Sequence, residues 1–181
     1  MRVVGALEQS KIPYMVTGAV VSSLQGEPRA THDIDIVVEI DPFKVKTLMD
    51  AFPEPDFFLQ ESAIRQAIEQ HSMFNLLFIE EGLKVDFWIL QNEPYDRERF
   101  RRRYTESFTG IDIAVSTPED TILSKLLWAK KIGGSEKQFT DALRVYEVQY
   151  SKLDLEYLRK WVVRLGIKEL WQRIQNEAEN I

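Results

Sequence analysis

Hydrophobic and polar positions follow two different periods along the chain. Short apolar runs rich in β-branched and aromatic residues predict strands over 14–17, 33–38, 73–79 and 83–90, the last two joined by a turn at 80–82. Longer stretches with apolar residues at helical spacing predict helices over 19–24, 42–51, 61–70, 154–165 and 167–178. A hairpin or closing strand is expected over 107–116, and from Thr117 the pattern is helical. Period alone indicates an α/β or α+β protein.

Two carboxylates interrupt the apolar strand 33–38. Residues two apart in a strand share a face, with Cα atoms about 6.6 Å apart, so Asp33 and Asp35 should project side by side. Such a pair repels, and burying it without a partner is costly. A divalent cation is a natural compensation, and hard oxygen ligands suit Mg²⁺. The alternative is a solvated face of an edge strand, where charges guard against aggregation.

A third aspartate lies in the apolar run 83–90, LKVDFWIL. There Lys84, Asp86 and Trp88 share one face of the predicted strand. An aspartate in so apolar a strand is expensive unless it has a partner. Asp86 is therefore expected to have a partner; the alternative is an exposed strand residue paired with Lys84 or an arginine.

Composition limits the function classes. The 181 residues are enough for one domain, or one with a helical appendage, and the absence of cysteine excludes disulfides and thiolate metal sites. A cytoplasmic protein is expected, because the N-terminus does not resemble a signal peptide and no apolar run approaches the roughly 20 residues that span a bilayer. The net charge of −6 argues against nucleic-acid binding by the whole surface. The arginine-rich run 97–103 favours a solvated helix face; a patch that steers RNA is the alternative.

Three motifs at fixed distances carry a family resemblance. They are T-G-x-x-x-S from Thr17, G-E-P-R-A-T over 26–31, and H-D-I-D-I-V-V over 32–38. Together they resemble the nucleotidyltransferase superfamily (DNA polymerase β-like fold), and more narrowly the small proteins related to the AbiEii toxin family. The resemblance implies an α/β fold with a small mixed β-sheet flanked by helices. Residues 1–116 would form the catalytic core, and a C-terminal helical segment, 117–181, would complete the cleft.

The resemblance also implies a reaction. A nucleoside monophosphate would pass from an NTP to a hydroxyl acceptor, which could be RNA, a protein or a small molecule. Asp33, Asp35 and Asp86 would hold two Mg²⁺ ions, with Asp86 as the superfamily's third carboxylate and a candidate general base. His32, beside the pair, is expected to be structural or to lie behind the ligands rather than to bind metal.

Further residues are candidates for nucleotide binding. In the family, the turn after the first strand holds the triphosphate, which points to Thr17, Gly18 and Ala19, although Ala19 replaces the usual Gly or Ser. Ser22 could supply the missing hydroxyl. Arg29, beside Thr31, could reach a phosphate or pair with Glu27. Three more candidates match motifs of the relatives: Lys125 in E-D-x-x-x-x-K-L, and Lys137 and Asp141 in K-D-x-x-D. In the second of these motifs, Gln138 replaces the middle aspartate.

Three other functions stay open beside plain nucleotidyl transfer. The fold could be a catalytically silent nucleotide-binding or regulatory module, which the departures at Ala19 and Gln138 favour. It could be the toxin of a toxin–antitoxin pair, with an antitoxin protein as partner. Alternatively, it could be an interaction protein that acts through its C-terminal helices.

Overall fold

A seven-stranded mixed sheet is the centre of the fold. The computed structural model describes residues 2–31, 33–108 and 110–179. Within them the strands are β1 (Tyr14–Thr17), β2 (Asp33–Val38), β3 (Phe57–Phe58), β4 (Met73–Phe78), β5 (Leu83–Ile89), β6 (Tyr104–Phe108) and β7 (Ile111–Val115). Their order across the sheet is β3-β4-β5-β2-β1-β7-β6. β2 pairs in parallel with β5 and β1 in parallel with β7, whereas the other neighbours are antiparallel.

The strand with the two aspartates lies inside this sheet. β2 is flanked by β1 and β5, so the alternative of an edge strand is wrong. Both backbone edges of β2 are therefore paired, so protection of a free strand edge against aggregation does not explain its aspartates.

Helices surround the strands in sequence. The described residues contain α1 (Arg2–Gln9), α2 (Gly18–Gln25), α3 (Val45–Asp50), α4 (Glu61–Gln70), α5 (Pro94–Arg102), α6 (Pro118–Lys131), α7 (Glu136–Gln149), α8 (Leu155–Leu165) and α9 (Lys168–Glu177). No helix in this part of the chain is long and apolar enough to cross a membrane. The predicted α/β fold class, with a mixed sheet flanked by helices, is confirmed.

Contacts divide the chain into two compact units. Unit 1 comprises residues 1–17 and 31–115 and contains the sheet; unit 2 comprises 18–30 and 116–181. The helix α2, which follows β1 in sequence, therefore belongs to the same unit as α6 to α9. The assignment of 1–116 as catalytic core and of 117–181 as a segment completing a cleft stays a prediction.

One face of the sheet in unit 1 changes from apolar to polar along the strands. Met15, Val37 and Phe100 are buried together, and the Trp88 ring packs against this cluster. Two residues before Val37 on β2 the same face carries Asp35, and two residues before Trp88 on β5 it carries Asp86. The polar positions thus begin where the apolar layer ends, and that layer fixes the strands beneath them.

Several elements differ from the sequence prediction. The predicted helix 42–51 is a 3₁₀ turn at Pro42–Lys44 followed by the shorter α3, and Asp41 caps this turn by accepting from Phe43 N at 3.0 Å. The two-residue strand β3 was not predicted, because two residues are too short to show a period. The hairpin predicted over 107–116 begins earlier, at Tyr104, and Gly110 lies at its turn with φ of 80°.

Candidate functional site

A row of polar residues crosses four strands of unit 1. The register pairs Thr17 with Asp35, Asp35 with Asp86, and Asp86 with Asn75. Directly paired residues project to the same face of a sheet, so the side chains of this row are neighbours. Asp33 lies on the same face, two residues before Asp35. The three aspartates singled out in the sequence therefore lie on one face of two neighbouring strands, β2 and β5.

Burial increases from Asp33 through Asp35 to Asp86. The Asp33 side chain is 59% exposed, Asp35 is half-buried, and the Asp86 side chain is only 11% exposed. Two uncharged donors hold the inner carboxylates: Asn75 Nδ2 donates to Asp86 Oδ1, and Trp88 Nε1 donates to Asp35 Oδ1 at 3.1 Å. Hydrogen bonds to a carboxylate fix its orientation. Two oxygens of the row are thus aimed by neighbouring side chains.

The cation in this row is a lysine. Lys84 Nζ lies 3.0 Å from Asp86 Oδ2 and 3.6 Å from Asp33 Oδ1. The hydrogen bond to Asp86, together with the charges of Asp86 and Asp33, raises the pKa of Lys84 above its ordinary value despite some desolvation. The ammonium group is therefore charged at neutral pH. The pairing of Asp86 with Lys84, named above as an alternative, is present.

The donor chemistry of the row fits a hard divalent cation. Asp33, Asp35 and Asp86 are the residues that would hold it, because carboxylate oxygens are the ligands that Mg²⁺ prefers. The Lys84 ammonium group between two of them shows that the carboxylates already attract a cation. In the described residues, no three acidic or histidine side chains are grouped closely enough to form a metal site as they lie. His32 lies outside the described residues.

A second cluster of predicted residues forms within unit 2. Arg29 makes a two-pronged contact with Asp141, Nε to Oδ1 at 2.8 Å and Nη2 to Oδ2 at 2.7 Å. Lys125 Nζ donates to the same Oδ2 at 2.7 Å. The alternative pairing of Arg29 with Glu27 is not the observed one, since Glu27 lies 3.3 Å from Arg144 Nε.

The charge of Asp141 is stabilised by its two partners. Burial acts to raise the pKa of Asp141, but hydrogen bonds and charges from Arg29 and Lys125 outweigh it and hold the pKa below its ordinary value. Lys125 is almost fully buried, whereas the Arg29 side chain is 29% exposed. Arg29 is therefore the accessible cation of this cluster.

A close helix approach sets the position of Arg29. Gly26 directly follows α2, and an added Cβ there would lie 2.9 Å from Val145 N and 3.0 Å from Arg144 C, both backbone atoms of α7. From α2, the Ser23 hydroxyl accepts from Arg29 N at 3.4 Å and donates to Arg29 O at 3.3 Å. These contacts bring the loop 26–30 against α7, beside Asp141.

The remaining nucleotide-binding candidates lie at the start of α2, just before β2 and in the first turn of α7. Gly18 begins α2 with φ of 72°, a conformation that glycine adopts without strain, and Ala19 follows it half-buried. Ser22 is buried, and its hydroxyl donates to Ala19 O at 3.2 Å, within its own helix. In unit 1, the Thr31 hydroxyl donates to Asp33 O at 3.2 Å. Lys137 is exposed in the first turn of α7.

The arginine-rich run is largely paired with acids. Arg97 contacts Glu39, Arg99 lies 2.7 Å from Asp96, and Arg101 lies 2.8 Å from Glu98. The exposed side chains of Arg97 and Arg101 agree with the solvated helix face that the sequence favoured, whereas the Arg99–Asp96 pair is largely buried. The charges of these pairs are locally balanced, which weakens the alternative of a patch that attracts RNA.

Sequence reasoning missed two hydrogen-bond partners of the aspartates, Asn75 and Trp88. Asn75 interrupts the apolar strand MFNLLF, and that interruption was the available signal. Trp88 was noted on the face of Asp86, but its hydrogen bond reaches Asp35 on the neighbouring strand. A bond across strands depends on the sheet order and register, which the sequence did not define.

Comparisons with known proteins give the fold a name. No family model matches the sequence, and no curated protein matches it significantly. Among solved structures, an antigenic nucleotidyltransferase-like protein from Paracoccidioides brasiliensis is similar, with a TM-score of 0.54, 17% identity, and coverage of 98% of this chain and 92% of that one. The antibiotic-resistance factor ANT(2'')-Ia gives a TM-score of 0.54 at 10% identity, covering 97% and 92%. The lincosamide antibiotic adenylyltransferase LnuA, lincomycin-bound, has a TM-score of 0.52 and 14% identity, with coverage of 81% of this chain and 93% of that one.

Proposed function

We propose that this protein, which has the nucleotidyltransferase fold, is a divalent-metal-dependent enzyme that moves a nucleoside monophosphate from an NTP to a hydroxyl acceptor. The observation that carries the proposal is the in-register row of Asp35 and Asp86, with Asp33 beside it on the same face. Carboxylates gathered on one face need a cation, and hard oxygen donors suit Mg²⁺.

The three aspartates have distinct tasks in this proposal. Bound Mg²⁺ would offset charge on the phosphates and lower the pKa of the attacking hydroxyl. Asp86, the most buried and held by Asn75, is both a ligand and the proposed acceptor of the hydroxyl proton. Asp35 is a ligand aimed by Trp88, and Asp33 is the exposed ligand. The hydroxyl oxygen forms a bond to the α-phosphorus as the bond to pyrophosphate breaks.

Nucleotide binding is the second part of the proposal. Arg29 is the proposed phosphate contact, because it is the accessible cation of its cluster, and Lys125 acts with it through the shared carboxylate of Asp141. The other proposed residues keep the roles that the resemblance implies: Thr17, Gly18, Ala19, Ser22, Thr31 and Lys137. Ser22 is the weakest of them, since its hydroxyl is used within α2.

The acceptor in this proposal is a hydroxyl group. Two proteins of the same fold are antibiotic-modifying, the lincomycin-bound adenylyltransferase and ANT(2'')-Ia in complex with adenylyl-2''-tobramycin. They support nucleotidyl transfer to a small-molecule hydroxyl as one option for this chain. RNA and protein hydroxyls are equally compatible with the row of aspartates.

Calorimetry with each of the four NTPs in the presence of Mg²⁺ tests the proposal. We expect the wild type to bind at least one NTP only when Mg²⁺ is present, and Asp35→Asn to lose that binding. Asp112→Asn is the matched control, because it removes the same charge from an exposed strand position of unit 1. Unchanged binding by Asp35→Asn would contradict the proposal.

A catalytically silent nucleotide-binding protein is the second candidate. It is favoured by the Lys84 ammonium group, which contacts two of the three carboxylates. Metal-dependent NTP binding that is lost in Asp35→Asn, with no release of pyrophosphate for any acceptor class, would identify it.

The toxin role is a finer proposal that rests on the motif resemblance to the AbiEii-like proteins. It includes an antitoxin protein as partner. Growth arrest on expression, relieved by Asp35→Asn, would support it; growth arrest that persists in this variant would separate it from nucleotidyl transfer.

A further inference from the structure

Lys84 is placed by the sheet rather than by chance contact. On β5 it lies two residues before Asp86, on the same face, and its register partner on β2 is Asp33. Its ammonium group lies 3.0 Å from Asp86 Oδ2 and 3.6 Å from Asp33 Oδ1. A lysine at this position is therefore held next to two of the three proposed metal ligands.

Charge shows what the lysine does there. Three aspartates carry three negative charges, and Lys84 reduces the total to two, which weakens the attraction of the three carboxylates for a divalent ion. The ammonium group also uses carboxylate oxygens that a metal would need, and its side chain is 40% exposed, so it can swing into solvent. A metal that binds Asp33 and Asp86 together must displace this group.

We infer that Lys84 is an internal cation that competes with divalent metal ions for Asp33 and Asp86 and so restrains metal binding by the nucleotide-free protein. The inference rests on the proposed function, because it takes the aspartates as ligands. The inference predicts that the metal ion binds together with the nucleotide. When the metal displaces the Lys84 ammonium group from its carboxylates, the negative phosphates of an NTP would provide new partners for that group.

Titration of the nucleotide-free protein with Mn²⁺, following free Mn²⁺ by electron paramagnetic resonance, tests the inference without any turnover. We expect Lys84→Met to bind Mn²⁺ at least about fivefold more tightly than the wild type, the lower end of a typical coupling between two sites. Lys84→Gln repeats the test with a shorter polar side chain. Lys84→Arg keeps the charge and should behave as the wild type does.

Lys46→Met is the matched control. Lys46 is exposed on α3 of the same unit, so its replacement changes the net charge equally without touching the polar row. It should leave Mn²⁺ affinity unchanged. Tightening in Lys46→Met equal to that in Lys84→Met would show a general charge effect and overturn the inference.

Two further outcomes separate the inference from its premise. Equal or weaker Mn²⁺ binding by Lys84→Met, with binding still lost in Asp35→Asn, would overturn the inference and leave the proposed function intact. Mn²⁺ binding that Asp35→Asn does not weaken would place the ion elsewhere, and both would then fall.

Discussion

At the scale of single residues, Asn75 decides how Asp86 is presented. Asn75 is exposed on β4, yet its amide donates to the carboxylate of Asp86, while Lys84 takes the other oxygen. A carboxylate held on both oxygens has little rotational freedom. Catalysis by general bases and metal ligands depends on such orientation. Asn75 is therefore a positioning residue in the proposed reaction.

Asn75→Ala should lower turnover without unfolding the protein. If nucleotidyl transfer is observed, we expect kcat to fall about tenfold, a loss typical of residues that orient ligands. Because Asn75 is exposed, the free energy of unfolding should change by less than about 0.5 kcal/mol. Steady-state kinetics and urea denaturation measure the two effects, and unchanged kcat would remove Asn75 from the site. Asn75→Asp, which places a like charge beside Asp86, should be worse than alanine.

The pKa of Asp141 makes the stability of unit 2 sensitive to acid. Its pKa in the folded protein lies below the ordinary value of 3.8, the result of two cationic partners that outweigh burial. A depressed folded-state pKa contributes stability that is fully present above the ordinary value. That stability is lost as the pH falls through the folded-state pKa.

Asp141→Asn should therefore destabilise the protein in a pH-dependent way. We expect a loss of about 3 kcal/mol at neutral pH, because the buried Lys125 is left without its carboxylate. The difference from the wild type should shrink as the pH falls below about 4, where the carboxyl group of the unfolded wild-type chain begins to bind a proton, and should be lost below the folded-state pKa. Denaturation curves over this range measure it. A difference that stays constant into acid would contradict the prediction.

At the scale of elements, the packing of α2 on α7 depends on one missing side chain. The atoms nearest to an added Cβ at Gly26 belong to the backbone, including Ser22 O at 3.1 Å, so they cannot rotate away as a side chain would. The loop that carries Arg29 begins at this glycine. A change in helix spacing here would therefore reach the Arg29–Asp141 contact.

Gly26→Ala should cost about 1–3 kcal/mol of unfolding free energy, the usual range for overpacking. Gly5→Ala is its control: a Cβ at Gly5 meets nothing within 4 Å, and Gly5 lies inside α1. There alanine should stabilise the protein by about 0.5–1 kcal/mol. Thermal denaturation of both variants gives the comparison. A stabilising Gly26→Ala would mean that the helices separate freely.

The elements that sequence predicted well are those with strong local signals. β1, β2, β4 and β5 have apolar runs bounded by turn residues, and α6 to α9 have helical periodicity, with side-chain N-caps at the start of α6, α7 and α8. β3 and the start of β6 could not be predicted in this way. Two residues show no period, and the pattern of Tyr104–Phe108 is mostly exposed and polar.

At the scale of the whole molecule, the chain order and the compact units do not coincide. Residues 18–30 lie between two strands of unit 1 in sequence but group with 116–181. α2 packs there through Val21, Ser22 and Gln25, which are buried, and Gln149 Nε2 at the end of α7 donates to Gln25 O at 2.8 Å. A cut at residue 116 would therefore separate α2 from its packing partners.

A fragment of residues 1–116 should not be stable by itself. We expect it to be poorly soluble when expressed alone, since the buried face of α2 would be exposed to water. Co-expression with 117–181 should restore a folded complex, as judged by co-purification and cooperative melting. A soluble, cooperatively folded 1–116 fragment would show instead that α2 needs no partner from the later helices.

The candidate site was predictable only in part for the same reason. The aspartates of β2 and β5 stand out because carboxylates are rare in apolar strands, and the motifs supplied Arg29, Lys125 and Asp141. That Asp141 binds both cations depends on α2, α6 and α7 coming together from separate parts of the chain. Such long-range pairing leaves no local pattern.

The indole that donates to Asp35 has an optical consequence. Trp88 is the single tryptophan in the sequence of unit 1; the other three lie in unit 2. A cation that binds the Asp35 carboxylate changes the hydrogen bond that the Trp88 indole donates to it, and with it the fluorescence of that indole. The difference in fluorescence between the wild type and Trp88→Phe should therefore report how much cation is bound at the polar row. Trp88 is thus an intrinsic fluorescent probe on the strand next to the carboxylate that it reports on.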